Sequence, residues 1–282
     1  MVLTKIIRQK VQDFVFQKPR TVQEISELIK INWRTADRYI ERIGQEEGTI
    51  AVQTFREGTR GSLKIVYWIN QPQQQSSNIQ ERLFKLIESS RHKDDFSPFD
   101  IYQYLNDEKR RAFIEEDVEK SEKYLDQDLI ELILETKEQL LIFSGNLSWV
   151  NIEKKNKSFL SGLKELLQNG VSVKILCNID IASIQNVEKV LELNFHYPKN
   201  PIEIKHSEQP LRAFVVDNKF ARFKESKHPH NYTLLKRKTY IFYEILDDSW
   251  IEWTKRVFWN LFRSGIPAEK RIKDIWSIQN LK

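Results

Sequence analysis

The chain has 282 residues, enough for two separate cores, and its 45 Lys/Arg against 40 Asp/Glu leave a net charge of +5. Its single cysteine, Cys177, excludes an internal disulfide and a cysteine-built zinc site, and no apolar run reaches the length of a membrane span. Residues 1–69 hold twelve of the basic and eight of the acidic residues, a local net of +4, which is the footprint of a segment that meets phosphates.

TKIIRQKVQDFVF, residues 4–16, sets Ile7, Val11, Phe14 and Val15 on one helical face. This mixed, charged start is no signal-peptide core, so the chain is expected in the cytoplasm. Thr21 and Glu24 have capping-box spacing and predict a second helix from about Val22 to Lys30, with Ile31 and Asn32 as the turn. The third helix, WRTADRYIERIGQEE, buries Ala36, Ile40 and Ile43 and sets Arg34, Arg38 and Arg42 four residues apart on another face. Past Gly48, TIAVQTFR and LKIVYWI read as strands joined by EGTRGS, whose Gly58 and Gly61 suit a hairpin.

This order of helices and hairpin resembles a winged helix-turn-helix over about residues 3–69. The resemblance implies that the third helix enters the major groove of double-stranded DNA while the wing touches the backbone or minor groove. Carried onto this sequence, it implies contacts from Trp33, Arg34, Thr35, Arg38 and Arg42, with Arg56, Arg60 and Lys64 on or near the wing. The chemistry suits that role, because a guanidinium fork can hold guanine bidentately or grip a phosphate. Two other readings stand beside it: the arginines form the solvated face of a protein-binding domain, and Trp33 caps the core of its own domain.

NQPQQQSSN, residues 70–78, has no large apolar side chain and is predicted to be a linker. ERLFKLIESS then reads as a helix, and Ser97-Pro98 opens another over FDIYQYLN. Residues 107–138 are predicted as a long charged helix with a narrow stripe of Phe113, Ile114, Val118, Leu125, Leu129, Leu132 and Ile133. A second copy in a dimer or the C-terminal domain would cover it.

From Gln139 strands and helices alternate: QLLIFSGNLSW, then KSFLSGLKELLQNG ended by Gly170, then VSVKILCNI with Cys177 as a small buried hydrophobe, then the helix ASIQNVEKVLELN. IEIKHS, LRAFVVD, KFARFKE and YIFYEILD follow as strands, and SWIEWTKRVFWNLFRSG closes as a helix. Trp250, Trp253, Val257, Phe258, Leu261 and Phe262 make that helix apolar on two sides, one for core packing on the sheet and the other for a subunit interface or stacked bases. The expected class is α+β / α/β, with domains at 1–69, a linker at 70–78, a helical connecting and dimerising segment at 79–138, and a mixed sheet at 139–282.

The C-terminal order resembles one repeat of the phospholipase D-like fold over about residues 127–265, on the strength of FSGNLSW, NGVSVKIL and the strand pair around Asp217. Active members of that superfamily carry His-x-Lys-x-x-x-x-Asp, in which the His attacks phosphorus, the Lys holds the nonbridging oxygens and the Asp supports the reaction. Here Arg212 stands at the Lys position and Pro210 at the His position before Asp217. Proline has no ionisable group, so the nucleophile is absent. Active members also need two such motifs, and no second candidate is visible.

Asp217 itself is expected to cap its Asp-Asn turn. His206 could reach the same cleft only through a backbone rearrangement, and His228 with His230 lies in a polar loop without a clear third metal ligand. Neither a cofactor nor a metal is expected.

A winged helix joined to a degenerate phospholipase D-like domain is similar to the archaeal TrmB-type transcription regulators. The resemblance implies a non-catalytic, homodimeric protein that binds duplex DNA as a regulator or chromatin component, in the cytoplasm on the chromosome. Some members carry a further sugar-binding domain; with the sequence ending at Lys282, sugar sensing is not expected and any small-molecule effector is unassigned. Two functions compete with this one: a phosphodiesterase or nuclease with an atypical site of His206, Arg212 and Asp217, and a protein-interaction module.

Overall fold

Thr4, Thr21 and Asn32 each start a helix by offering a side-chain oxygen to a backbone N–H that would otherwise lack a partner. The computed structural model describes residues 3–56, 62–68, 76–116, 129–154, 157–197, 199–229, 235 and 237–279. Helix α1 (Lys5–Gln17) is followed by strand β1 (Arg20–Thr21), helix α2 (Val22–Leu28) and helix α3 (Trp33–Glu47).

The expected capping box is formed, with the Glu24 N–H donating to the Thr21 hydroxyl at 3.1 Å and the Thr21 N–H donating to the Glu24 carboxylate at 2.8 Å. Gly48, at φ 62°, ends α3 in the left-handed region that a side chain would strain. Strands β2 (Ile50–Arg56) and β3 (Ser62–Trp68) pair antiparallel, and β1 joins the outer side of β3. Val11, Val15, Ile25, Ala36, Ile40, Ile43 and Val66 fill the core between these helices and strands. The hairpin loop with Gly58, Arg60 and Gly61, and the side chain of Arg56, lie outside the described residues.

Helix α4 (Ser76–Ser89) begins inside the segment expected to be linker, and α5 (Phe99–Tyr102) is shorter than FDIYQYLN suggested. The remaining elements are β4 (Arg110–Glu116), α6 (Leu129–Leu134), β5 (Gln139–Phe143), β6 (Glu153–Lys154), β7 (Lys157–Ser158), α7 (Phe159–Gln168) and β8 (Ser172–Cys177). After these come α8 (Ile184–Leu191), β9 (Ile202–His206), β10 (Ala213–Val216), β11 (Phe220–Lys227), β12 (Thr239–Ile245), α9 (Asp248–Ser264), β13 (Ile266–Pro267) and α10 (Ala268–Gln279). Helix α10, with Ala268 and Ile275 buried, is a helix that the sequence pattern left unassigned.

Eight strands form one mixed sheet in the order β13-β9-β8-β5-β10-β11-β12-β4, parallel across β5, β8 and β9 and antiparallel elsewhere. The helix expected over 107–138 is therefore corrected. After a 3-10 turn at Asp107–Lys109, its first part is strand β4, registered with Arg110 opposite Ile245 and Glu116 opposite Thr239; its middle lies outside the described residues, and α6 is the α-helix among those described. The free edge of β12 explains the change, because β4 satisfies its row of backbone donors and acceptors and stacks Phe113 on Phe242 at 5.0 Å. The large sheet thus starts at residue 110 and not at 139.

One face of β5, β8 and β9 packs on α6, α7, α8 and α10 through Ile130, Leu163, Leu166, Ile175, Val187 and Ala268. The opposite face carries α9, whose Phe258 meets Phe143 edge-on at 5.1 Å. The second apolar side of α9 is covered within the chain by α4, where the Trp253 indole N–H donates to the Gln80 carbonyl at 3.1 Å. Among the described residues, the apolar side chains of α9 and those of Ile114, Leu129 and Ile133 pack inside the chain, whereas Val118 and Leu125 of the expected seam lie outside them.

The hairpin also joins this core. Phe55, Leu63 and Ile65 pack in the same cluster as Phe99, Tyr243 and Trp250, with Phe55 edge-on to Tyr243 at 6.2 Å and Tyr67 edge-on to Phe99 at 5.3 Å. At about 1.5–3 kcal/mol for each large apolar side chain removed from water, this contact fastens the N-terminal unit to the large sheet.

Candidate nucleic-acid interface and C-terminal cleft

Helix α3 turns Ala36, Tyr39, Ile40 and Ile43 inward, which leaves Arg34 and Arg38 exposed one turn apart. Neither has an ion pair among the described residues. The third member of the expected ridge, Arg42, is tied to Glu46 at 2.5 Å, and Arg8 of α1 holds both Glu46 and Glu47. Hydrogen bonds from Arg42 and then Arg8 keep the Glu46 carboxyl below the usual carboxylate range.

Lys64, expected near a phosphate, instead binds Asp37 of α3 at 2.7 Å and approaches Glu41 at 3.7 Å. Thr35 is engaged in the helix cap, donating its hydroxyl to Asn32 Oδ1 at 3.0 Å. Trp33 packs against the N-terminal core, with Lys64 Nζ 5.6 Å from its ring centroid, and its buried Nε1 has no hydrogen-bond partner among the described residues. Of the described candidates, Arg34 and Arg38 are the ones whose charge is left for a partner.

The large sheet builds a cleft of about 490 Å³ where β5 and β8 end and β10 begins. Pro210 and Arg212 both line it, beside Ser144, Gly145 and Asn146 of the FSGN segment. The Arg212 guanidinium donates to the carbonyls of Gln209 at 3.2 Å and Leu211 at 2.6 Å and packs beside Gly145. A Cβ on Gly145 would fall 2.9 Å from Arg212 Nε and Nη2, so this glycine is what lets the guanidinium sit there. Burial depresses the Arg212 pKa, and no carboxylate pairs with it among the described residues.

Asp217 is not part of this cleft. Antiparallel pairing sets Ala213 opposite Phe143 and Val216 opposite Leu140, so Asp217 stands at the other end of β10 from Arg212, roughly 16 Å away at strand rise. It adopts φ 49° at the bend, and its carboxylate accepts from the N–H groups of Lys137 at 2.9 Å, Glu138 at 3.0 Å and Gln139 at 2.8 Å. The expected cap of its own turn is thus corrected to a clamp on the entry to β5. Burial alone would raise its pKa, but the donors from Gln139, Lys137 and Glu138 outweigh it and hold the carboxyl below its ordinary value.

His206 is likewise placed elsewhere. It ends β9, with β8 and β5 between it and β10, roughly 14 Å across the sheet from Arg212. Its Nδ1 accepts from the Ile179 N–H at 2.9 Å, and burial followed by Arg271 lowers its pKa. The atypical site of His206, Arg212 and Asp217 is therefore not assembled. His228 Nε2 lies 3.3 Å from Lys93 Nζ, His230 is outside the described residues, and no group of three potential ligands suited to a metal occurs among those described. Cys177 is buried in β8, where desolvation pushes its thiol up to about 12, and it behaves as the small core hydrophobe expected.

The fold is a mixed α+β body in which a helical N-terminal unit with a hairpin rests on an eight-stranded sheet. No family model matches the chain, and no curated protein matches it. Among solved structures it is similar to TrmBL2, described as an archaeal chromatin protein with a novel mode of DNA binding. That similarity has 13% identity and a TM-score of 0.40, over 94% of this chain and 95% of that one. It is also similar to Nuc, a phospholipase D family member from Salmonella typhimurium, at 12% identity and a TM-score of 0.38, over 56% of this chain and 97% of that one. NucT from Helicobacter pylori gives 12% identity and a TM-score of 0.37, over 56% and 99% respectively. Among the described residues, no helix is long and apolar enough to cross a membrane.

Proposed function

We propose that this chain binds duplex DNA through α3, as a winged-helix protein that acts in transcription or on chromatin, and that its C-terminal cleft is non-catalytic. The observation that carries the proposal is the pair Arg34 and Arg38, exposed and without ion pairs among the described residues, on a helix whose third cation, Arg42, is held by Glu46. Four residues of helix separate them by about 6 Å along the axis, close to two base steps. They can therefore address neighbouring base pairs or phosphates from one groove.

Three helices, the turn at 29–32 and the β2/β3 hairpin support the winged-helix assignment. Pro210 at the nucleophile position, and a cleft lining without His, Cys or Asp among the described residues, support the absence of catalysis.

Fluorescence anisotropy of a labelled random duplex, titrated with the full chain at several salt concentrations, tests the duplex contact. Arg34→Ala and Arg38→Ala are expected to weaken binding by about 1–3 kcal/mol each where they read bases, or to lower the salt slope by about 1 where they grip phosphates. Arg42→Ala should change affinity less, because Glu46 already holds that side chain. A double Arg34→Ala/Arg38→Ala variant with wild-type affinity and salt slope would remove the proposal.

A further inference from the structure

The register of the sheet collects charge and aromatic surface on one face. Phe214 opposes Arg222, Lys224 opposes Phe242, and the Lys224 N–H donates to the Arg212 carbonyl at 2.8 Å. Side chains alternate across a strand, so Arg212, Phe214, Arg222, Lys224, Tyr240 and Phe242 share that face and line the cleft. Trp149 closes one end, braced edge-on against Phe214 at 6.1 Å and anchored by its indole N–H to Ser144 Oγ at 3.0 Å.

Among the described residues, Lys93, Arg212, Arg222, Lys224 and Lys238 line the cleft with the carboxylate of Glu225, which already binds Lys227 at 2.8 Å and the Tyr243 hydroxyl at 2.9 Å. Arg222 is answered by Glu244 at 3.0 Å. Lys93, Arg212 and Lys238 line the cleft without an ion pair among the described residues. Asp94 favours the charged form of Arg212 through space but makes no ion pair with it, and a largely buried guanidinium is costly to take from water unless a counter-charge in contact replaces the solvent. A concavity of this size with a few convergent polar groups on an apolar wall has the form of a small-molecule site.

We infer that this cleft binds a small organic anion with a flat apolar body, its charged group on the Arg212 guanidinium and its body against Trp149 and Phe214. The two halves of the cleft select the two halves of such a ligand. An inorganic anion would leave the aromatic wall wet, and a neutral aromatic would leave Arg212 unanswered. The site is independent of the duplex contact on α3, and no bond is made or broken in it.

The test uses 8-anilinonaphthalene-1-sulfonate as probe, titrated into the full chain and followed by its fluorescence. Potassium sulfate then serves as competitor at ionic strength held constant with chloride. One saturable site is expected, displaced by sulfate. Arg212→Gln should raise the probe Kd by about 10- to 100-fold, the loss of a charge-assisted hydrogen bond. Trp276→Ala, which removes an aromatic that is 47% exposed on α10, should leave the Kd unchanged. If Arg212→Gln fails to keep the native circular dichroism spectrum, Lys238→Gln at its half-buried position replaces it, with a rise of about tenfold expected. Unchanged binding in the cation variant, failure of sulfate to compete, or loss of binding in Trp276→Ala overturns the inference.

Discussion

Replacing Asp217 asks whether the acid that completes a catalytic-looking pattern is a structural clamp. Its Oδ1 takes the N–H groups of Glu138 and Gln139, and its Oδ2 takes that of Lys137. Hydrogen bonds to a charged group contribute about 1.5–3 kcal/mol each when buried; water can replace part of that at this half-buried turn, so about 2–4 kcal/mol is expected for the set. Alanine at φ 49° adds about 1 kcal/mol of left-handed strain. Asp217→Ala should therefore lose about 3–5 kcal/mol.

Asp217→Asn tolerates the backbone and keeps an oxygen for two of the donors, so it should lose only about 1–2 kcal/mol. Urea unfolding followed by circular dichroism measures both. The native carboxyl lies below its unfolded value of about 3.9, so its contribution is present at neutral pH and disappears as the pH falls through the native pKa. The gap between wild type and Asp217→Ala should accordingly narrow below about pH 4. Urea midpoints of both variants within error of wild type, or a gap that persists unchanged in acid, would refute the clamp.

Asp100, at the start of α5, is pushed up to about 6 by burial and then by the charge of Glu225. A raised native pKa means stability declines as the pH climbs from about 4 to 6, so Asp100→Asn should raise the urea midpoint at pH 7.5, with the gain fading by pH 4; no gain at pH 7.5 refutes the assignment. Purified protein should not turn over a chromogenic phosphodiester, with or without divalent metal. Turnover lost in Arg212→Gln but kept in a matched control preparation would restore catalysis to the cleft.

Local chemistry was legible in the sequence. The Thr21/Glu24 capping box, the inward stripe of α3 and the buried strand around Cys177 each depend on residues a few positions apart. Pairing between distant segments was not. RRAFIEE scans as part of a charged helix because its strand partner, TYIFYEI, lies over a hundred residues later, and only the open edge of β12 makes it a strand. Asp217 reads as the cap of its own turn until tertiary packing brings the backbone of residues 137–139, about 80 residues earlier in the chain, against its carboxylate. His206 and Arg212 are six positions apart in sequence but on strands separated by two others, because the chain crosses the sheet between them. In the same way, Lys64 looks like a wing cation until the hairpin folds back on α3 and Asp37 captures it. Sequence spacing determines which backbone groups a helix or turn can satisfy for itself, whereas the partners of an edge strand, a buried charge or an apolar hairpin face exist only once the sheet has closed.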